Sequence, residues 1–224
     1  SWDGLVSCLA MIVCSYKFII NSFKKKRIYY YKNLNTTQKI QSLIIFSMFS
    51  VIFPGQGSQS VGMGANLYKE HSYVKELFEK ADEILGDSLS SIILNGPKDK
   101  LDQTENTQPA IFLVSYSIYE VIKKETNIDL SKAKYFAGHS LGEYSALAAS
   151  GAIDFDSTLK LLQKRGRAMQ SAMPKGEGGM VAILGEKIEN INELFNSNIG
   201  KFECYVANDN SNGQIVVSGK NKDL

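Results

Sequence analysis

Cysteine and histidine are scarce in this chain of 224 residues, with three and two copies. Cys8, Cys14 and Cys204 are too few and too scattered for a disulfide framework, and His71 and His139 show no spacing that fits a structural metal. The expected setting is therefore a reducing one, the cytoplasm. Proline is rare as well, at four, and with 18 glycines this excludes collagen, a Pro-rich linker and a low-complexity disordered chain. Long hydrophobic runs are missing too. The uncharged stretch Leu5 to Tyr16 falls short of the about 18 apolar residues that a membrane span needs. A secretory signal would carry its positive charge ahead of such a stretch, whereas Lys24–Arg27 follow it.

A basic face is also lacking. Residues 1–47 hold seven basic residues against one acidic, a net +6, while the remainder holds 18 against 22, a net −4, which together give the formal +2. The body of the protein is mildly acidic, and nucleic-acid binding loses its main support. What the chain does have is ordinary globular composition, 44% hydrophobic and 21% charged, at a length that suits one large or two small domains. Residues 1–47 are expected to be an extension outside the folded unit, with a membrane tether as the weaker alternative.

From Met48 onward strand and helix signals alternate. Phe49–Phe53 reads as a buried strand that ends at Pro54-Gly55. Helical spacing of apolar residues follows over 73–85 and again from Pro109 to Lys124. Tyr135–Ala137 is a brief strand, Leu141–Ser150 an Ala-rich helix, and Asp154–Met173 a longer one closed by Pro174. After the glycine-rich break at 175–179 come a strand (Met180–Leu184), a helix (Lys187–Phe195) and two strands (Phe202–Ala207, Gln214–Ser218). The class is α/β, with domains expected at 48–175 and 176–224.

The sharpest chemical signal is Gly138-His139-Ser140-Leu141-Gly142, set between a predicted strand and a predicted helix. Glycines two before and two after the serine leave no Cβ to clash as the chain reverses. Ser140 Oγ is then lifted above the sheet, with free N–H groups of the next helix, Leu141 first, aimed at charge developing on an attacked carbonyl. A serine needs a base. His139 is adjacent but points elsewhere in a tight turn and is expected to be structural, and His71 lies in a polar helical stretch and is expected to be solvated. The glycine-rich loop Pro54-Gly55-Gln56-Gly57-Ser58-Gln59 follows the first strand and can bring the Gln56 N–H beside Ser140 as a second oxyanion donor. It lacks the lysine of a phosphate-binding loop. Lys164-Arg165-Gly166-Arg167 offers an arginine fork suited to a carboxylate, although in isolation a solvated helix face is the better account of it.

The order of these motifs, with Gln108-Pro109-Ala110 between the loop and the elbow and Glu143 after it, resembles malonyl-CoA:acyl-carrier-protein transacylase from about Met48 onward. That resemblance implies an α/β hydrolase-like parallel-sheet domain with the beginning of an inserted ferredoxin-like subdomain. It implies that Ser140 is acylated by malonyl-CoA and passes malonyl to the phosphopantetheine thiol of acyl carrier protein. Gln56 and Leu141 match the oxyanion-hole amides, and Arg165 matches the residue that grips the malonyl carboxylate, with Arg167 as a neighbour that competes for the role. Asn208 and Asn210 resemble an Asn-rich strand end facing the same cleft. No resident cofactor or metal is implied, coenzyme A thioester being a substrate, and a monomer is expected. The family's general-base histidine lies beyond its small subdomain, so the 224 residues are expected to lack it. A serine esterase, or a non-catalytic fragment, remains the alternative.

Overall fold

The β-branched and aromatic run after Met48 forms strand β1, Ser50–Phe53, with Val51 and Phe53 buried. It pairs in parallel with β2, Tyr135–Gly138, and the register sets Phe53 opposite Gly138. The C-terminal ends of both strands therefore lie side by side, and the chain leaves both strands at one end of the sheet, the end where parallel α/β sheets gather their ligands. In this computed structural model the residues described are 49–172 and 176–224. The extension expected over 1–47 and the helix end expected at Met173–Pro174 fall outside them.

Between the two strands run five helices: α1 (Ala65–Glu70), α2 (Ser72–Leu85), α3 (Leu89–Asn95), α4 (Lys98–Leu101) and α5 (Thr104–Glu125). After β2 come α6 (Leu141–Ala149) and α7 (Phe155–Ser171). Helix α5 is the central post. Its residues from Thr107 to Ser115 are buried without a break, so it is wrapped on all sides rather than along one stripe. Phe112, Leu113, Phe78, Leu141, Leu159 and Leu162 share one core, each buried to within 2% of full burial. Each such side chain contributes roughly 1.5–3 kcal/mol by leaving water.

The chain divides between Arg167 and Ala168 into two compact units. In the second, β3 (Gly178–Leu184), α8 (Ile188–Ser197), β4 (Cys204–Ser211) and β5 (Gln214–Lys220) build a three-stranded antiparallel sheet in the order β3-β5-β4. Ile191 of α8 packs on Cys204, Ile215 and Val217. A strand, a helix and two further strands with the last in the middle is the opening of a ferredoxin-like sheet, as expected from sequence.

Three differences have physical reasons. Helices α1, α3 and α4 had no forecast, because four to seven residues are too few for a helical period to declare itself. Strand β4 runs on to Ser211 instead of stopping at Ala207. Its polar Asn208–Asn210 stretch is held by pairing with β5 across two register shifts, between Val206 and Asn208 and between Asp209 and Ser211. His71, expected to be solvated, sits at the junction of α1 and α2 with its side chain only 18% exposed. Its Nδ1 lies 3.7 Å from Glu125 Oε1, and its ring centroid is 5.3 Å from that of Tyr73. No helix among the described residues is long and apolar enough to cross a membrane.

Candidate active site

At the end of β2 the chain reverses within a few residues. Ser140 has φ 56°, and it is the one non-glycine residue with positive φ among those described. Such a backbone costs on the order of 1–3 kcal/mol and persists only where its surroundings enforce it. The enforcement comes from two glycines. A methyl group on Gly138 would come within 2.0 Å of the Gly142 carbonyl, and one on Gly142 within 2.5 Å of the Phe53 carbonyl oxygen. Here β1, β2 and α6 touch main chain to main chain. Hydrogen bonds from Gly142 N–H to the His139 carbonyl (2.9 Å) and from Glu143 N–H to the Ser140 carbonyl (3.1 Å) close the turn.

Leu141 follows directly, with its side chain entirely buried, so the core anchors the start of α6. Ser140 precedes the helix without capping it through its side chain. Its Oγ instead accepts a hydrogen bond of 3.0 Å from Arg165 Nη2. Arg165 Nη1 donates to Gln108 Oε1 at 2.7 Å, and the guanidinium carbon stands 5.6 Å from the centre of the Tyr144 ring. The guanidinium has more N–H donors than these two bonds use, and a carboxylate is their natural complement.

The loop after β1 lies against this turn. A methyl on Gly55 would meet both Nδ1 and the carbonyl oxygen of His139 at 2.7 Å, which places Gln56 one residue beyond the contact. The loop is braced rather than slack. Ser58 Oγ donates to the Gly55 carbonyl, Gly57 N–H donates to Gln59 Oε1, and Gln59 Nε2 donates to Asp102. The last bond, after the one from Lys98, holds the Asp102 carboxyl below its ordinary range. Leu141 opens α6, and a helix leaves its first N–H groups without an intrahelical acceptor.

The structure thus brings Ser140, Leu141 and Arg165 together and sets the Gln56 loop beside them. It separates the two arginines. Arg167 faces out of the site and pairs with Glu105, Nε to Oε2 at 3.1 Å, while the neighbouring Lys164 is exposed. His139 is exposed with its ring against Gly55. Asn208 and Asn210 belong to β4 of the second unit, the first half-buried and the second exposed. Gln108 is the residue whose part the sequence left unassigned. It is fully buried in α5 beside the equally buried Thr107, just ahead of the apolar run from Pro109, and a buried glutamine there is the available signal for a polar partner.

The family model for the acyl transferase domain matches residues 50–224. The chain is 44% identical over 172 residues to malonyl CoA-acyl carrier protein transacylase of Haemophilus influenzae, covering 76% of this chain and 54% of that protein. It is 43% identical over 177 residues to the Bacillus subtilis enzyme of the same name, covering 79% and 55%. Among solved structures, the acyl-carrier-protein-S-malonyltransferase of Bartonella henselae matches with a TM-score of 0.72 at 41% identity, over 78% of this chain and 56% of that one. A malonyl-transacylase solved in complex with a type II polyketide synthase acyl-carrier protein matches at 0.71 and 37%, over 79% and 56%. The chain spans about half the length of the curated relatives it matches. With an elbow serine, a guanidinium on its oxygen and this family match over residues 50–224, the chain belongs to the acyl transferase domain family.

Proposed function

We propose that this chain carries the nucleophile and the carboxylate-binding arginine of a malonyl-CoA:acyl-carrier-protein transacylase. The observation that carries the reading is the 3.0 Å bond from Arg165 Nη2 to Ser140 Oγ, a cation set directly on the attacking oxygen. Ser140 Oγ adds to the thioester carbonyl of malonyl-CoA, its proton passing to a general base and from there to the departing coenzyme A thiolate. The tetrahedral oxyanion is met by the N–H groups of Gln56 and Leu141. The malonyl carboxylate is taken by Arg165. Attack by the phosphopantetheine thiol of acyl carrier protein on the Ser140 ester then releases malonyl-thioester and restores the hydroxyl. No step draws on a resident cofactor, and we place the reaction in the cytoplasm, where acyl-coenzyme A and reduced carrier thiols are at hand.

Support comes from the relatives, whose names give this reaction, and from the neighbour solved with its carrier protein. An esterase for neutral esters has no use for a guanidinium on its nucleophile. The test is incubation of a version that also carries the family's general-base histidine with malonyl-CoA under single-turnover conditions, followed by mass spectrometry of the peptide containing Ser140. A malonyl adduct that Ser140→Ala abolishes is expected. No adduct, or an adduct that forms equally well from acetyl-CoA, overturns the reading.

A further inference from the structure

Three consecutive residues of α7 each touch the first turn and a half of α5. Arg165 donates to Gln108, Gly166 lies on Thr104 and Glu105, and Arg167 pairs with Glu105. The middle contact is main chain against main chain. A methyl on Gly166 would stand 2.6 Å from the Thr104 carbonyl oxygen and 2.6 Å from Glu105 Cα, both main-chain atoms that cannot swing aside. Gly166 is buried within a helix, where glycine is the poorest choice short of proline unless the absence of a Cβ is what the position requires.

We propose that Gly166 is a positioning residue: by letting α7 sit directly on the start of α5, it fixes where Arg165 delivers its guanidinium and so sets the preference for an acyl group ending in a carboxylate. The inference rests on the malonyl-transfer reading for its substrate. Arg165 and Gly166 are adjacent on one rigid helix, so a displacement of α7 at residue 166 carries the guanidinium with it. The bonds at stake, 2.7 Å to Gln108 and 3.0 Å to Ser140, tolerate little of that. Arg167 and Glu105 clamp the same crossing from its outer side.

The experiment compares Gly166→Ala with its unaltered parent, both in a version that also carries the family's general-base histidine, for single-turnover acylation of Ser140 by malonyl-CoA and by acetyl-CoA. A displacement near 1 Å can cost about a hundredfold where alignment matters. The malonyl-to-acetyl ratio should fall about ten- to a hundredfold, because acetyl makes no use of the guanidinium. A parallel loss on both substrates, as a merely structural role would give, overturns the proposal, and so does an unchanged ratio. If Gly166→Ala does not fold, Arg167→Gln decides, since it loosens the same crossing from an exposed position. A roughly twofold fall in the ratio is then expected, in keeping with an exposed ion pair, and no fall overturns the proposal. A second readout needs no acyl transfer: the side-chain Nε–H resonance of Arg165, identified by its loss in Arg165→Lys, should shift in the folded variant. If it does not move, the seating idea fails on its own. Absence of any malonyl adduct in the unaltered, base-carrying parent instead sinks the malonyl reading and leaves the resonance to judge the seat.

Discussion

Ser140 and Arg165 form a pair in which each explains the other's position. The strained serine offers its oxygen at the mouth of the turn, and the arginine takes the lone pair that a capping bond would otherwise use. Arg165→Ala should therefore separate two substrates that differ by one carboxylate. In a version that also carries the family's general-base histidine, malonyl transfer from coenzyme A should drop at least tenfold while acetyl transfer holds or rises, read from rates of Ser140 acylation. Equal losses on both would deny the arginine its selective role. At this scale the sequence was informative where a motif constrains the backbone and silent where a contact crosses between helices. The elbow could be read because glycine spacing has one geometric meaning. Gln108 could not be given a task, because its partner lies 57 positions away on another helix. Arg165 and Arg167 could not be told apart for a related reason. Two positions along a helix turn a side chain through slightly more than a half circle, and only the packing of α7 says which of the two faces Ser140.

Elements are joined by polar contacts as well as by the core. The phenol of Tyr73 on α2 donates to Glu125 at the end of α5 at 3.0 Å, and Lys124 Nζ lies 4.0 Å from the centre of the same ring. Burial first, and then the bond to Glu125, push the Tyr73 phenol up to about 12 from an ordinary 10.0. The folded state holds this proton more tightly than the unfolded chain does. The contribution to stability is therefore complete below about pH 10 and is lost as pH rises toward about 12. Urea titrations across that window should show stability falling, and Tyr73→Phe should flatten part of the slope. Tyr116 and Tyr119, also raised by burial, retain the rest. An identical slope in the variant would refute the assignment. Element by element, the longer helices and the strands were legible from their periodicity. The short helices α1, α3 and α4 were not, since packing against α2 and α5 stabilises them more than any pattern of their own does.

Across the whole molecule the two units differ in how much they bury. Among the described residues the second unit's apolar core is Ile191, Cys204, Ile215 and Val217, whereas α5 in the first is sealed on all sides. Four side chains at roughly 1.5–3 kcal/mol each leave little once chain entropy is charged against them. Hydrogen exchange should therefore reach the amides of β5 well before those in the middle of α5, Phe112 and Leu113 among them. Uniform protection through both units would contradict this. In the first unit, by contrast, the distance between hydroxyl and guanidinium is set where polypeptide spines rest on one another at Gly138, Gly142 and Gly166, with no side chain interposed. Anyone wishing to retarget the protein to bulkier acyl groups will find nothing to trim at those points. Room must come from Gln108 and Tyr144 around the arginine, with the three bare crossings left as they are.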